Sequence, residues 1–348
     1  MKNLSIINKT IFLINSISLF LLLICYISPY TNPNIFSPIS FIGLLFPVLY
    51  ILNSIFLIYW IIFFKKQIWP NIIILLIGAQ YINSYINITL KEEDNNNSIK
   101  IISYNVRIFN EYNWIPEINK EDIFSFIKEL KGDVLCIQEF YKKRGIPNLN
   151  YKFMHIEEYD NEDQGHLAIY SNYPQINKST ISINNKDMNN TCIYSDIIIN
   201  NDTIRFYNIH LASNWFKSTD YAFLTDTTYK KEEIKTGLQN IIKRMQNAYK
   251  KRADQVLIIK KHIQSSPYKV IICGDMNDTP ISFTYRNIKG DLLDSFSISG
   301  NGFGQSFVKI PTLRIDYIMH DKNIKSFNHK KEKKIFSDHY PISCKIKI

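Results

Sequence analysis

The chain opens on long apolar runs. No charged residue falls between Ile11 and Tyr30, 20 residues, or between Phe41 and Phe64, 24 residues; as helices, each is long enough to cross a hydrocarbon core of about 30 Å. A third uncharged stretch, Ile68 to Ile86, is interrupted by Pro70, Asn71, Gln80 and Asn83 and is expected to span as well. Lys2 and Lys9 precede the first run, Lys65 and Lys66 follow the second, and the loop from Thr31 to Ser40 is uncharged. The positive-inside rule then keeps the N-terminus and the second loop in the cytoplasm, and a third crossing sends the rest of the chain outside the cytoplasmic membrane. No small-residue cleavage site follows Tyr30 and another apolar run comes next, so the first run reads as an anchor and not a signal peptide.

Past the polar linker Asp94-Asn95-Asn96-Asn97-Ser98 the pattern changes. Short β-rich runs recur at Ile101 to Val106, Val134 to Ile137, Leu167 to Tyr170, Cys192 to Ile199, Ile204 to Leu211, Val270 to Cys273, Ile315 to Met319 and Ile342 to Ile348. Helical spacing is found from Lys120 to Leu130 and from Lys230 to Ile263, where Ile234, Leu238, Ile241, Met245 and Ala248 fall on one face. The chain thus divides into residues 1–95, a membrane anchor of two to three helices, and residues 96–348, one layered α/β domain with helices packed over strands.

Composition sharpens this picture only a little. The 348 residues are 46% hydrophobic and 21% charged with 11 Gly and 12 Pro, which excludes a disordered, collagen-like or disulfide-dense chain. Of the formal net charge of +10, residues 1–95 supply five basic and three acidic side chains, so the α/β part is the basic one. That suits an anionic substrate or surface, but a chain so rich in Lys, Asn and Ile carries the same charge from AT-rich coding. The helix from Lys230 to Ile263 has ten basic residues against Glu232, Glu233 and Asp254, and reads as a solvated face before it reads as a nucleic-acid or lipid contact. Cys25, Cys136, Cys192, Cys273 and Cys344 show no C-x-x-C spacing and read as buried thiols.

The informative residues sit at strand ends. Val134-Leu135-Cys136-Ile137 runs into Gln138-Glu139, and Val270-Ile271-Ile272-Cys273 into Gly274-Asp275-Met276-Asn277. Period-two alternation puts Asn208 and His210 on one face of their strand and Ser103 and Asn105 on one face of theirs. Asp316 interrupts another apolar strand, and Asp338-His339 stands before the last. Taken singly, Glu139 is a solvated strand end, Asn105 or His210 a satisfied hydrogen-bonder, Gly-Asp-x-Asn a turn, and His339 a surface residue. Their joint occurrence argues otherwise, because charged groups are rarely left at core strand ends without a partner.

In order along the chain, Ser103-Tyr104-Asn105, Ile137-Gln138-Glu139, Asn208-Ile209-His210-Leu211, Gly274-Asp275-Met276-Asn277-Asp278-Thr279-Pro280, Arg314-Ile315-Asp316-Tyr317 and Ser337-Asp338-His339-Tyr340-Pro341 resemble the motifs of the endonuclease/exonuclease/phosphatase superfamily. The closest likeness is to a membrane-anchored bacterial subgroup. The resemblance covers essentially all of residues 99–348. It implies a four-layer α/β sandwich of DNase I-like type, a catalytic site at one rim, a divalent metal, and hydrolysis of a phosphate ester, most simply a phosphodiester in nucleic acid or a phospholipid headgroup. Gly165 to Ser171 looks like a scaffold strand of that family, and His166 within it has no special status.

Residue chemistry agrees. Carboxylates and amides are hard oxygen donors for Mg²⁺, with Mn²⁺ as the alternative, and no thiolate cluster or H-E-x-x-H helix invites zinc. Glu139 is the best metal ligand, Asn105 a neutral one, and Asp338 a support beside them. Asp275 is similar to the family residue that orients or deprotonates the attacking water, and Asn277 to the one that positions it. His210 and His339 are expected at the nonbridging oxygens, with Asp316 resembling the carboxylate that orients His339 and favours its protonated form. The competing expectation is a noncatalytic anchored module that binds an anionic ligand through the same residues. No protein partner is implied.

Overall fold

The computed structural model describes residues 5–89, 98–143, 145–157, 165–181, 192–214 and 231–348; of the linker at 94–98 only Ser98 falls among them. The apolar N-terminal part folds as α1 (Ile6–Ile27), two short helices α2 (Pro33–Phe36) and α3 (Pro38–Leu44), then α4 (Phe46–Ile62), α5 (Ile68–Ile82) and a short strand β1 (Ile86–Ile88). The segment Ile6–Tyr30 is long and apolar enough to cross a membrane. The run at 41–64 is not one straight helix: α3 and α4 meet at a 58° bend. Pro47, in the first turn of α4, has no N–H to donate and its ring excludes a continuous helix through residue 43. The third run is helical for only 15 residues, about 22 Å, and its end at Ile86 leaves the helix as a strand.

These helices bury polar and expose apolar side chains. Asn15, Asn53 and Asn71, one from each of α1, α4 and α5, are fully buried together. Asn15 Nδ2 donates to Asn53 Oδ1 at 3.1 Å and to Asn71 Oδ1 at 3.0 Å, and Trp60 Nε1 donates to Asn15 Oδ1 at 2.8 Å. Ile14, Ile17, Phe20, Ile51, Ile55, Ile58, Trp69 and Leu76 face outward. Such a bundle has its polar glue inside and its greasy surface outside.

The rest of the chain runs β2 (Ile99–Asn105), α6 (Lys120–Glu129), β3 (Val134–Phe140), β4 (Phe153–Ile156), β5 (His166–Ser171), β6 (Gln175–Ile181), β7 (Cys192–Ile199), β8 (Asp202–His210), α7 (Lys231–Gln264), β9 (Lys269–Asp275), α8 (Phe283–Lys289), β10 (Leu293–Asp294), α9 (Ser295–Ser299), β11 (Asn301–Phe303), β12 (Asp316–His320), β13 (Lys325–Lys331) and β14 (Ile342–Lys347). One sheet has the order β13-β14-β2-β3-β5-β4 and the other β10-β12-β9-β8-β7-β6. Within them β2 and β3 are parallel, as are β8 and β9, and the remaining neighbours are antiparallel.

Alternation along each strand builds the layers. Ile101, Cys136, Ile169, Phe206, Ile271, Cys273 and Ile318 point into the space between the sheets. Ile102, Tyr104, Leu135 and Ile137 face out under α6, and Tyr207, Ile209, Ile272 and Tyr317 face out under α7 and α8. The result is a four-layer α/β sandwich. All five cysteines are buried and none is in a disulfide.

Candidate functional site

The same alternation places the site. Continuing the inward positions of each strand to one rim gives Asn105 after Ser103, Gln138 after Cys136, His210 after Asn208, Asp275 after Cys273, and Asp316 before Ile318. Across the second sheet His210 is paired with Asp275, and Asp275 with Asp316; across the first, Asn105 is paired with Gln138. Gln138 Nε2 ties the sheets together beneath the rim by a bond to Asn208 Oδ1 at 2.6 Å, and reaches Ser103 Oγ on the neighbouring strand of its own sheet at 3.2 Å. Asn208 Nδ2 adds bonds to the carbonyls of Ile137 and Ala168 at 2.8 and 2.9 Å.

Two backbone irregularities aim the remaining groups. The β3–β5 register shifts between Ile137 and Phe140, and Glu139 takes φ 53°, which turns its carboxylate toward the site. This needs Gly165 opposite, since a Cβ there would lie 2.8 Å from the Cα of Glu139. Gly274 sits at φ 148°, where a Cβ would collide with the carbonyl of Ile209; only glycine lets β9 pass so close to β8 and deliver Asp275. Asn277, at φ 52°, closes the turn.

Asn105, Glu139, His210, Asp275, Asn277, Asp316 and His339 come together. Asn105 Nδ2 donates to Glu139 Oε1 and to Asp275 Oδ2, both at 3.1 Å. His210 Nε2 lies 3.6 Å from Glu139 Oε1 and 3.8 Å from Asp275 Oδ2. Asp275 Oδ1 accepts from the Asn277 backbone N–H at 2.8 Å, and Asn277 Nδ2 reaches the Leu211 carbonyl at 3.0 Å. His339 Nδ1 is 2.9 Å from Asp316 Oδ2, and its Nε2 is 3.7 Å from Asp275 Oδ2. Asp338 stands to one side, its Oδ2 3.2 Å from Arg107 Nη1.

Burial decides the charge states. His339 is disfavoured as a cation by burial alone, but the carboxylates of Asp316 and Asp275 outweigh this and hold its pKa up at about 10. Asp275 is pushed up to about 6 by burial and by the charge of Asp316, against the pull of His339 and His210. Burial raises Glu139, with Asp338 adding to it, and lowers His210. The rim therefore pairs an imidazolium with a neutral imidazole across two carboxylates whose ionised forms are uncomfortable.

Several supporting contacts carried no readable signal. Arg252, within the helix read as solvated, is fully buried; its Nε is 3.3 Å from Asp278 Oδ2 and its Nη1 2.6 Å from the Ala212 carbonyl. Ser306 Oγ accepts from the backbone N–H groups of Ile315 and Asp316 at 2.9 and 3.0 Å. Phe307 packs edge-on against His339, centroids 5.3 Å apart. Ser337 Oγ donates to the Asn105 carbonyl at 2.8 Å, and Arg107 stacks 4.2 Å over Trp114.

The residues fit a divalent cation in one place. His210 Nε2 is buried without a hydrogen-bond partner beside Glu139 Oε1 and Asp275 Oδ2, and Asn105, whose Nδ2 bridges those two carboxylates, has its Oδ1 on the Arg107 backbone N–H. Asp275, Asp316 and His339 also offer ligand atoms within 4.8 Å of one another, but an imidazolium whose Nδ1 is bonded to Asp316 has no lone pair for a metal. Hard oxygen donors around Glu139 suit Mg²⁺ or Mn²⁺ better than zinc.

The family model described as the endonuclease/exonuclease/phosphatase family matches residues 102–339. A second, described as a domain of unknown function, matches residues 8–85. No curated protein matches the chain. Among solved structures, humanized TDP2 of D. rerio shares 15% identity at a TM-score of 0.52, over 72% of this chain and 99% of its own. The human Nocturnin catalytic domain with bound sulfate shares 13% at 0.50, over 74% and 97%. A mannosyl-6-phosphatase of Bacteroides thetaiotaomicron shares 15% at 0.50, over 72% and 100%. At such identities the likeness is one of fold.

Proposed function

This chain belongs to the endonuclease/exonuclease/phosphatase family, hydrolases of phosphoester bonds, and from that premise we propose that it is a membrane-anchored, Mg²⁺-dependent phosphodiesterase. The observation that carries the chemistry is the rim where His210, Asp275 and His339 converge between the sheets, with Asp316 bonded to His339 behind it. Asp275, bonded to Asn277 and poised near neutrality, orients and deprotonates the attacking water. The imidazolium of His339 and the side-chain amide of Asn277 meet the charge that develops on the nonbridging oxygens, and His210 donates beside them. Glu139 would hold the metal, with Asn105 joining as a neutral ligand on turning its Oδ1 from the Arg107 N–H into the site and Asp338 alongside; when bound, the metal would supply Lewis-acid charge to the phosphoryl oxygens. Full-length protein in detergent, assayed with Mg²⁺ or Mn²⁺ against bis-p-nitrophenyl phosphate, DNA and sphingomyelin, is expected to turn over at least one of them and to stop on chelation. Ligand binding without turnover on any of the three would favour the noncatalytic module.

Asp316→Asn tests the His339 assignment through pH. A histidine whose folded pKa is raised contributes stability that is complete below its ordinary value near 6.5 and is lost as pH rises through about 10. Removing the Asp316 charge is expected to move the alkaline limb of kcat down by more than a pH unit. An unmoved limb in a folded variant would remove the His339 imidazolium from its place at the nonbridging oxygens.

The membrane reading is supported by the inverted bundle and by where its ends lie. Tyr59 Oη donates to Asn8 Oδ1 at 2.6 Å, so the starts of α1 and the Lys65-Lys66 turn share one end. At the other end Asn34 Nδ2 donates to Asp254 Oδ1 at 2.8 Å and Arg286 lies 4.2 Å over the Tyr30 ring. Basic residues at one end and the sheet domain at the other suit three crossings with residues 96–348 outside. Alkaline phosphatase fused after Asn97 folds only where disulfides form and is expected to be active. A well-expressed but inactive fusion would place the domain in the cytoplasm.

A further inference from the structure

The anchor does not stop at its last helix. β1 begins four residues after the end of α5, at most about 14 Å of extended chain, and pairs antiparallel with β11 of the sheet domain. Beside this ribbon opens a cavity of about 460 Å³, lined by Ile298, Phe303, Ser326, Lys330, Lys331 and Lys333 among others, within the usual size of small-ligand pockets. It is separate from the catalytic rim and none of the motif residues lines it.

Three features of the cavity point to one kind of occupant. Its rim is apolar and open, with Ile298 45% and Phe303 68% exposed, a surface that suits the interfacial zone of a bilayer. Its polar wall is cationic: Lys330, Lys331 and Lys333 have no ion-pair partner among the described residues, and burial together with the charge of Lys333 makes the Lys331 ammonium uncomfortable. Lys331 Nζ finds only Gln305 Oε1 at 3.3 Å and the Tyr340 ring at 5.1 Å. Finally, Ser326 is nine-tenths buried and its Oγ has no hydrogen-bond partner. Lysines on an edge strand such as β13 also discourage strand pairing, but that role requires neither an apolar floor nor an orphaned hydroxyl beneath them.

We propose that this cavity holds the phosphate of an anionic phospholipid headgroup from the leaflet on which the sheet domain sits. The lysines meet the phosphate, and Ile298 and the ribbon's Phe303 lie against the glycerol and upper acyl chains. A free phosphate would use the lysines and leave the apolar rim unsatisfied. The assignment rests on the membrane reading above.

Full-length protein in nonionic detergent, offered equal phosphatidylglycerol and phosphatidylcholine, is read by native mass spectrometry. Wild type is expected to retain phosphatidylglycerol over phosphatidylcholine by about tenfold or more, since each lysine near an anionic surface is worth about fivefold. Lys330→Gln/Lys331→Gln/Lys333→Gln is expected to bring the ratio near one, while Lys65→Gln/Lys66→Gln, at the far end of the bundle, keeps it. Should the triple variant fail to fold, Lys331→Gln alone is expected to lower the ratio about fivefold. A ratio near one in wild type, a preference that survives the cavity substitutions, or displacement of the lipid by millimolar inorganic phosphate would overturn the proposal. Failure of the membrane reading is seen independently, as release of the full chain from membranes by alkaline carbonate.

Discussion

Asp275→Asn is expected to lower kcat by about 10²–10⁴-fold, the usual worth of a positioned acid–base group, with little change in Tm. The carboxylate is almost fully buried at the centre of the rim, accepting from Asn105 Nδ2 and from the Asn277 backbone and facing both His210 and His339. An amide preserves the volume and the bond to Asn277, while its Nδ2 meets the donor of Asn105 and cannot take a proton from water. Stability is held by two opposing changes: a buried charge with a raised pKa is removed, and His339 loses one of its two carboxylates. Steady-state kinetics on the best substrate of the assay panel, with circular dichroism on the same sample, checks this. Near-wild-type turnover in a folded variant would remove Asp275 from the role of base. Glu139→Gln is expected instead to weaken metal dependence, raising the Mg²⁺ concentration needed for half-maximal rate.

Arg314→Met is expected to destabilise the protein by about 3–5 kcal/mol, the cost of leaving one member of a buried ion pair alone. Arg314 Nη1 and Nη2 clasp the two oxygens of Asp294 at 2.7 and 2.5 Å, and Tyr285 Oη donates to the same carboxylate at 2.7 Å. Burial alone would raise the Asp294 pKa, but Arg314 outweighs it and holds the group below the ordinary carboxylate range. Its contribution is therefore present above about pH 4 and lost only as pH falls through the lower folded value. The same guanidinium donates to the Ser84 carbonyl at 3.0 Å, so its loss also loosens the join between the helical bundle and the sheet domain. Adding Asp294→Asn to Arg314→Met is expected to recover part of the loss, because no uncompensated charge is then buried. Thermal unfolding of wild type and the two variants, full-length in detergent, distinguishes this from a surface pair, whose removal would shift Tm little.

Together these two substitutions separate the proposed catalytic rim from the ion pair that holds it against the helical bundle. Arg314 is two residues from Asp316, and Ile281, packed with Leu22, Cys25 and Phe46 of the helices, is six from Asp275. The turns that carry the candidate site thus lie on the face of the domain that meets the helices, at most about 7 and 21 Å along the chain from them.

What the sequence determined by itself follows from period and local chemistry. Eight apolar runs became strands because alternation is a property of neighbours in the chain, and the same alternation put Asn105, His210, Asp275 and Asp316 on inward faces at one rim. The capping box of Asn119 and Asp122 at α6 is equally local. Tertiary structure decided what depends on distant residues. Glu139 reaches the site only through a bulge that Gly165 permits across the sheet. Arg252 reads as one more cation on a basic helix until Asp278 and the Ala212 carbonyl surround it. Apolar length alone cannot show that α4 starts at a bend or that α5 ends at Ile82, because the residues that follow choose between helix and strand by pairing with β11, more than 200 positions later. Burial of an arginine and the path of a backbone between two partners are set by contacts that the chain makes only once it is folded, and these were the features that local pattern left open.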